Sequence, residues 1–282
     1  MPKVYYINSD GKRIDFDNKT YYLNRATTLF SHKWEYISSE YVNKIDAFNM
    51  RFVEKEFDIG ILAKSNRDYD KALRKINDVF DYDVRMVRPG RLYCGEDYLN
   101  CYIVECNQSI YEDRANVIVK PFRLVAERGD WIHEEYFETI KGASTDYLDF
   151  MFDYPYDFAL SEDANYVINN SVAPADFIMR IYGAYPNRFN QVVEINGIKY
   201  GISTNDVLLT PPNVYIEINS IDKTLTFVHP NGWRRNFFKY RNKETDVFTP
   251  IAPGKWYINR NANFDVTIKL FSYKSEPDWW KG

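Results

Sequence analysis

The strongest constraint in the chain is one short stretch, Val193-Glu194-Ile195-Asn196-Gly197-Ile198-Lys199-Tyr200. An Asn-Gly pair tolerates positive φ at both central positions of a two-residue loop, and the twist of that loop suits the strands it joins. Fixing the loop fixes the pairing. Ile195 then faces Ile198 and Val193 faces Tyr200 on one side, while Glu194 lies opposite Lys199 on the other as an opposite-charge pair. Turn chemistry and hydrophobic pattern thus agree on a single antiparallel register.

The same alternation fills the rest of the C-terminal half. Phe177, Met179 and Ile181 alternate toward Gly183. Val214, Ile216 and Ile218 alternate with Tyr215, Glu217 and Asn219, and a turn at Asp222-Lys223 leads into Leu225 and Phe227. Pro230-Asn231-Gly232 and Asn261-Ala262-Asn263 are further turns. Trp256 and Ile258 alternate, and Phe264, Val266, Ile268 and Leu270 supply a last inward face. Short strands broken by regular turns predict an antiparallel sandwich.

The N-terminal half has a different texture. Val4–Ile7 and Arg13–Phe16 read as strands around a turn, and from Ala47 to Ala63 the alternation sets Phe48, Met50 and Phe52 against Asn49 and Arg51. One helix follows: Ser65 caps it with Asp68 three residues on. Tyr69, Leu73, Ile76 and Phe80 form its apolar stripe, leaving Asp70, Lys71, Arg74 and Lys75 for solvent. Pro89-Gly90 reads as a turn before strands at Leu92-Tyr93, Tyr98–Glu105 and Ala115–Ala126. A helix among strands is an α+β pattern. Residues 127–175 carry turn formers and little periodicity, apart from a strand at Tyr166-Val167-Ile168. The expected division is therefore a domain at 1–150 and another at 151–282. The expected fold class is mainly β, an α+β N-terminal domain with one helix followed by an antiparallel β-sandwich.

Several function classes fall away. The net charge is −4 with both signs interspersed, and no Lys/Arg block suited to a phosphate backbone occurs, so no nucleic-acid sequence recognition is expected. No apolar run approaches the roughly 18 residues of a spanning helix. The start goes straight into strand-like alternation and does not read as a signal peptide, so synthesis and folding are expected in a cytoplasm. Cys94, Cys101 and Cys106 are odd in number and not at metal spacing, which reads as reduced thiols packed as small apolar groups. His32, His133 and His229 are scattered. The neighbours Glu134-Glu135, Glu162-Asp163 and Glu276 with Asp278 read as solvated faces and turns. Common nucleophile, phosphate-loop, zinc-protease and dinucleotide motifs are missing. No catalytic residue, metal ligand or cofactor is expected, and the chain is not expected to be an enzyme. What stands out is the aromatic share of 17%, with 24 Tyr, a composition suited to strands and to protein interfaces.

The order of short motifs resembles one family. Phe177–Tyr182 with Gly183, Ile195-Asn196-Gly197 with Tyr200, Ile216–Leu225, Gly232 with Asn236-Phe237-Phe238, and Ile251-Ala252-Pro253-Gly254 are similar to the C-terminal region of siphovirus-type phage tail proteins. The ending Ser275-Glu276-Pro277-Asp278-Trp279 looks like the Ser-Glu-Pro-x-Trp ending of that family. Pro89-Gly90, Tyr98-Leu99-Asn100-Cys101-Tyr102 and Tyr154-Pro155-Tyr156-Asp157-Phe158 fit its N-terminal half. The family is the phage distal tail protein. The resemblance implies a ring, typically a hexamer, that joins the tail tube to the tail tip or baseplate. It also implies an N-terminal ring-forming domain and an outward-facing, galectin-like C-terminal sandwich. The implied partners are further copies of the chain, the tail tube protein, the tape measure protein and a tip or receptor-binding protein. The implied location is the virion tail tip, after synthesis in a bacterial host. A second reading is a carbohydrate-binding receptor-recognition module, with Trp233, Trp256, Trp279 and Trp280 as candidate contacts to host cell-wall saccharide.

Overall fold

The computed structural model describes residues 3–26, 28–39, 44–49, 51–107, 110–112, 117–139, 166–182, 190–203, 214–260 and 264–278. The chain divides into two units, Met1–His133 with Tyr273–Gly282, and Glu134–Ser272. The expected division at 150/151 lies outside the described residues.

In the first unit the elements are β1 (Val4–Ile7), β2 (Arg13–Asp15), β3 (Tyr21–Arg25), β4 (Glu35–Ser39), β5 (Lys44–Asn49) and β6 (Arg51–Leu62). They continue with α1 (Asn66–Met86), β7 (Gly90–Cys94), β8 (Asp97–Cys106), β9 (Ile110–Glu112), β10 (Val117–Arg128) and the start of β11 (Trp131–Thr139). Antiparallel pairing gives the order β2-β1-β7-β8-β10-β6-β3. β8 is long enough to serve three neighbours: residues 97–101 pair with β7, 102–106 pair with β10 across a register break at Arg123/Leu124, and Tyr98 also pairs with Ile132 of β11. Alternate residues of β6 (Phe57, Ile59 and Ile61) point into one core with Tyr6, Leu92, Leu99 and Leu124.

The helix covers that core. Ser65 Oγ accepts the Asp68 N–H at 3.2 Å and donates to the Asp68 carboxylate at 2.8 Å, a local variant of a capping box. Ile76 and Phe80 of the expected stripe are buried beside Ala72 and Val79, whereas Tyr69 and Leu73 pack half-buried at its rim. Phe80 meets Tyr6 and Phe122 edge-on at 5.1 and 5.4 Å, a preferred aromatic geometry. At the far end Val87 is left-handed (φ 52°), and the N–H groups of Val87 and Arg88 bond back to Val84 O and Asp83 O, the Schellman arrangement.

Two readings of this half need correction. The chain reverses at Val87 rather than at Pro89-Gly90, and Gly90 already belongs to β7. Its missing side chain has another use: a Cβ there would stand 2.1 Å from the Tyr6 hydroxyl and 2.4 Å from Asp83 Oδ2. The aperiodic stretch after residue 127 contains a full strand, β11, whose burial pattern alternates poorly because several positions are half-covered.

The second unit holds β12 (Tyr166–Asn169), β13 (Asp176–Tyr182), β14 (Asn190–Ile195), β15 (Ile198–Ser203), β16 (Tyr215–Asn219) and β17 (Thr224–Val228). Next come β18 (Arg234–Asn236), a 3-10 turn (Phe238–Tyr240), β19 (Gly254–Tyr257), β20 (Asn259–Arg260) and β21 (Val266–Lys274). One layer is β18-β17-β16-β13-β21; β15-β14-β20 and β12-β19 supply further strands. Inward residues Phe177, Met179, Ile216, Ile218, Leu225, Ile268 and Leu270 share one core with Val193, Ile195, Tyr200, Ile202 and Val167. That is a β-sandwich.

The Asn-Gly hairpin has the register read from its sequence: Val193 pairs Tyr200, Glu194 pairs Lys199 and Ile195 pairs Ile198, with φ of 49° and 74° at Asn196 and Gly197. One detail differs. Lys199 Nζ reaches Glu244 at 2.5 Å, so the ion pair forms with a loop residue rather than across the hairpin. Phe264, Val266, Ile268 and Leu270 are all buried as expected, and the turn at 261–263 lies outside the described residues.

Candidate assembly surface

The least expected feature of the first unit is the β4–β5 hairpin. Its strands pair with each other and with no other strand among the described residues. Tyr36 stands opposite Phe48, Ile37 opposite Ala47 and Ser38 opposite Ile45, across a register irregularity. Tyr36 is 65% exposed and Phe48 59%, and Trp34, Ile37 and Ile45 are also open to solvent. Phe48 therefore leads no core-facing stripe; the side chains of Met50 and Phe52 lie outside the described residues. A lone two-stranded hairpin is marginal in water, and clustered exposed aromatic and aliphatic side chains mark a contact surface.

A second surface lies on the β2-β1-β7-β8 sheet. The pairings Asp15–Tyr5, Tyr5–Tyr93 and Tyr93–Tyr98 place these residues in one row. The Tyr5 and Tyr93 rings stack at 4.6 Å and 8°, and Tyr98 follows at 5.4 Å. Tyr5 and Tyr93 are half-buried and Tyr98 is buried; Arg13 covers Tyr5 at 3.7 Å and Arg91 covers Tyr98 at 4.5 Å. Burial and the neighbouring Tyr93 push the Tyr5 phenol above its ordinary value, so Tyr5 keeps its proton well into alkaline pH. Tyrosine and arginine together are the side chains that most often anchor protein contacts.

The carboxylates and histidines are engaged in structure. Asp97 is buried and pairs with His133 Nδ1 at 2.7 Å and with Lys274 Nζ at 3.3 Å, and it accepts the Asp278 N–H at 2.7 Å. Burial by itself would raise its carboxyl; the His133 and Asp278 hydrogen bonds and the Lys274 charge outweigh this and hold it below the ordinary carboxylate range. Glu276 pairs with His32 at 3.0 Å, Glu134 with Lys269, and Asp278 with Lys274 at 2.9 Å. Glu162-Asp163 lie outside the described residues. Cys94 and Cys101 are buried thiols, Cys94 pushed up to about 12 by burial and by Asp97, but Cys106 is exposed, contrary to the expectation for all three. Among the described residues no group of His, Cys, Asp and Glu is arranged to hold a metal ion, and no helix is long and apolar enough to cross a membrane.

Of the candidate saccharide contacts, Trp233 is 53% exposed and touches Phe227 edge-on at 6.4 Å. Trp256 is half-buried against the sandwich core, and its Nε1 donates to Ala252 O at 2.9 Å. No ring contact joins the two, and Trp279 and Trp280 lie outside the described residues. Sequence reading missed both the open hairpin and the tyrosine row. The signal for the row was there, in Tyr5, Tyr93 and Tyr98, but only strand pairing brings them side by side.

No family model matches the sequence, and no curated protein matches it. Solved structures do. The Dit protein of phage SPP1, described as a paradigm of hub adsorption apparatus in Gram-positive infecting phages, matches with a TM-score of 0.58 at 9% identity. That match covers 97% of this chain and 99% of that one. A chain of the phage P2 baseplate in its activated conformation with Ca gives 0.56 at 15% identity, over 98% and 99%. The p2 baseplate with Sr gives 0.56 at 15%, over 98% and 100%. Such identities speak for fold. The chain has the mainly β fold of phage tail hub and baseplate proteins along nearly its whole length. That is the mainly β fold expected from the order of the sequence motifs.

Proposed function

We propose that this chain is a structural, non-enzymatic subunit of a phage tail tip, a distal tail protein. Copies of it close into a ring, a hexamer in the simplest case, between the tail tube and the tip or baseplate. The first unit builds the ring, and the second is a galectin-like outward module. Its other neighbours are the tail tube protein, the tape measure protein and a tip or receptor-binding protein, and it is made in the cytoplasm of a bacterial host. The observation that carries this reading is the open β4–β5 hairpin, a self-paired apolar element that needs a second surface. A ring uses heterologous contacts, in which each subunit presents different patches to its two neighbours, and the half-buried, stacked Tyr5 and Tyr93 rings beside Arg13 form a second, chemically distinct patch.

The test is light scattering and negative-stain microscopy of the full chain. Annular oligomers are expected for the wild type, and monomers with an unchanged melting curve for Tyr36→Asp/Phe48→Asp. Rings that persist in the double variant would remove the hairpin from the contact, and a wild type that stays monomeric even with tail tube protein added would end the ring reading.

A second reading, saccharide recognition by the second unit, is supported by the exposed ring of Trp233. Cell-wall saccharide pull-down with wild type and Trp233→Ala tests it.

A further inference from the structure

Residues 273–282 follow the second unit in sequence but group with the first. Several contacts hold the stretch from Tyr273 to Asp278. The Arg128 guanidinium lies 4.4 Å over the Tyr273 ring, and Pro277 is buried. Buried Asp97 accepts both the Lys274 ammonium at 3.3 Å and the Asp278 N–H at 2.7 Å. With residues on either side of it fixed, Glu276 meets a different segment: its Oε1 lies 3.0 Å from His32 Nδ1.

His32 ends a short, pinned loop. The Thr28 N–H donates to Glu56 O at 3.2 Å, and Thr28 Oγ1 accepts the Glu56 N–H at 2.7 Å. Leu29 is buried, and Phe30 stacks at 5.9 Å on buried Trp131. Ser31 O accepts from the ammonium of Lys55, a residue of β6 that is 1% exposed. Burial holds that ammonium below its ordinary value, and the Glu276 charge works against the shift. An exposed His–Glu pair contributes little by itself. A carboxylate that also serves a buried cation contributes more, because its removal leaves that cation uncompensated. Glu276 thus serves two basic side chains at once.

The loop carries the open hairpin. Exposed Trp34 stands two residues beyond His32, and β4 begins at Glu35. β5 ends one residue before β6 begins, which gives the β4–β5 hairpin one attachment; the loop at 28–32 is the other. No other strand among the described residues pairs with the hairpin, so its two attachments set its direction. Loosening one of two attachments lets an element pivot on the other.

We infer that residues 274–278 form a clasp on the base of the β4–β5 hairpin, with Glu276 as the positioning residue that holds the loop through His32 and Lys55. The clasp orders the hairpin within the single chain. Its use in assembly rests on the ring reading given above, in which a neighbouring copy meets that hairpin in one orientation.

The experiment is hydrogen exchange of the full chain, read beside light scattering. Glu276→Gln keeps the side-chain shape and removes the charge, and the side chain is 51% exposed, so no packing is disturbed. The variant is expected to speed exchange in residues 28–39 and 44–49 about threefold or more, with β7, β8 and the second unit unchanged. Glu276→Asp is expected to restore much of the protection, and the ring fraction to fall and recover in the same order. Unchanged exchange in residues 28–39 of Glu276→Gln, or a rise spread evenly over the first unit, would overturn the clasp. Faster exchange with an undiminished ring fraction would overturn its part in assembly. A wild type that forms no ring, with the loop still accelerated in Glu276→Gln, would end the ring reading and leave the clasp standing.

Discussion

The Tyr6 hydroxyl donates a 2.6 Å hydrogen bond to Asp83 Oδ2 inside the first unit, where neither side chain reaches solvent. The other Asp83 oxygen accepts from the N–H and hydroxyl of Ser9 at 2.7 and 2.6 Å, tying helix α1 to the turn after β1. Burial, followed by the neighbouring Cys101 and Asp83, drives the Tyr6 phenol far above its ordinary value, so it remains a donor at any working pH. Tyr6→Phe strands a buried carboxyl oxygen and is expected to cost about 1–3 kcal/mol in urea unfolding of the first unit. Gly90→Ala forces its Cβ into the same pair and should cost at least as much. A loss near zero for both would show that the contact is not a structural tie.

The Asp97 cluster makes stability depend on acid. The folded carboxyl titrates below its ordinary value of 3.8, so near and below that pH the unfolded chain binds more protons than the folded one. The contribution is complete above about pH 5 and disappears as pH falls through the folded value. Thermal midpoints of the wild type should therefore drop more steeply between about pH 5 and pH 3 than those of Asp97→Asn. Parallel curves would mean that the Asp97 contacts with His133, Lys274 and Asp278 contribute little.

Val87 occupies the left-handed position that ends α1, is β-branched, and is 77% exposed. Glycine adopts that conformation without steric cost, and no packed side chain is lost. Val87→Gly should stabilise the first unit by about 1 kcal/mol, read as a higher urea midpoint. A lower midpoint would contradict the backbone argument.

Gly197 at φ 74° closes the β14–β15 hairpin. Gly197→Val places a β-branched residue there and should destabilise the second unit by about 1–2 kcal/mol, leaving the first unit's transition in place. The two transitions can be followed separately by hydrogen exchange. Slower exchange in β14 and β15 of the variant would refute the expectation.

Much of the local structure was legible in advance. The Val193–Tyr200 register, the Ser65 cap and the inward face from Phe264 to Leu270 rest on interactions between residues close in sequence, or on strict alternation. Legibility failed where distant segments supply the partner. Asp83 looks like a solvent-facing helix residue until Tyr6 and Ser9 arrive from β1. Lys55 sits on the buried side of β6 because the Ser31 carbonyl, from another segment, accepts its ammonium at 2.5 Å. Phe48 alternates like a core residue, yet among the described residues β5 pairs only with β4.

By itself, then, the sequence determined the helix, the Asn-Gly turn and most strands of the second unit, because φ preferences, caps and period-two patterning act within a few residues. Tertiary structure alone decided which apolar stripes close over a core and which stay open, and which tyrosines align into a row. Those outcomes depend on long-range strand pairing, and no local preference encodes the neighbour a strand will find.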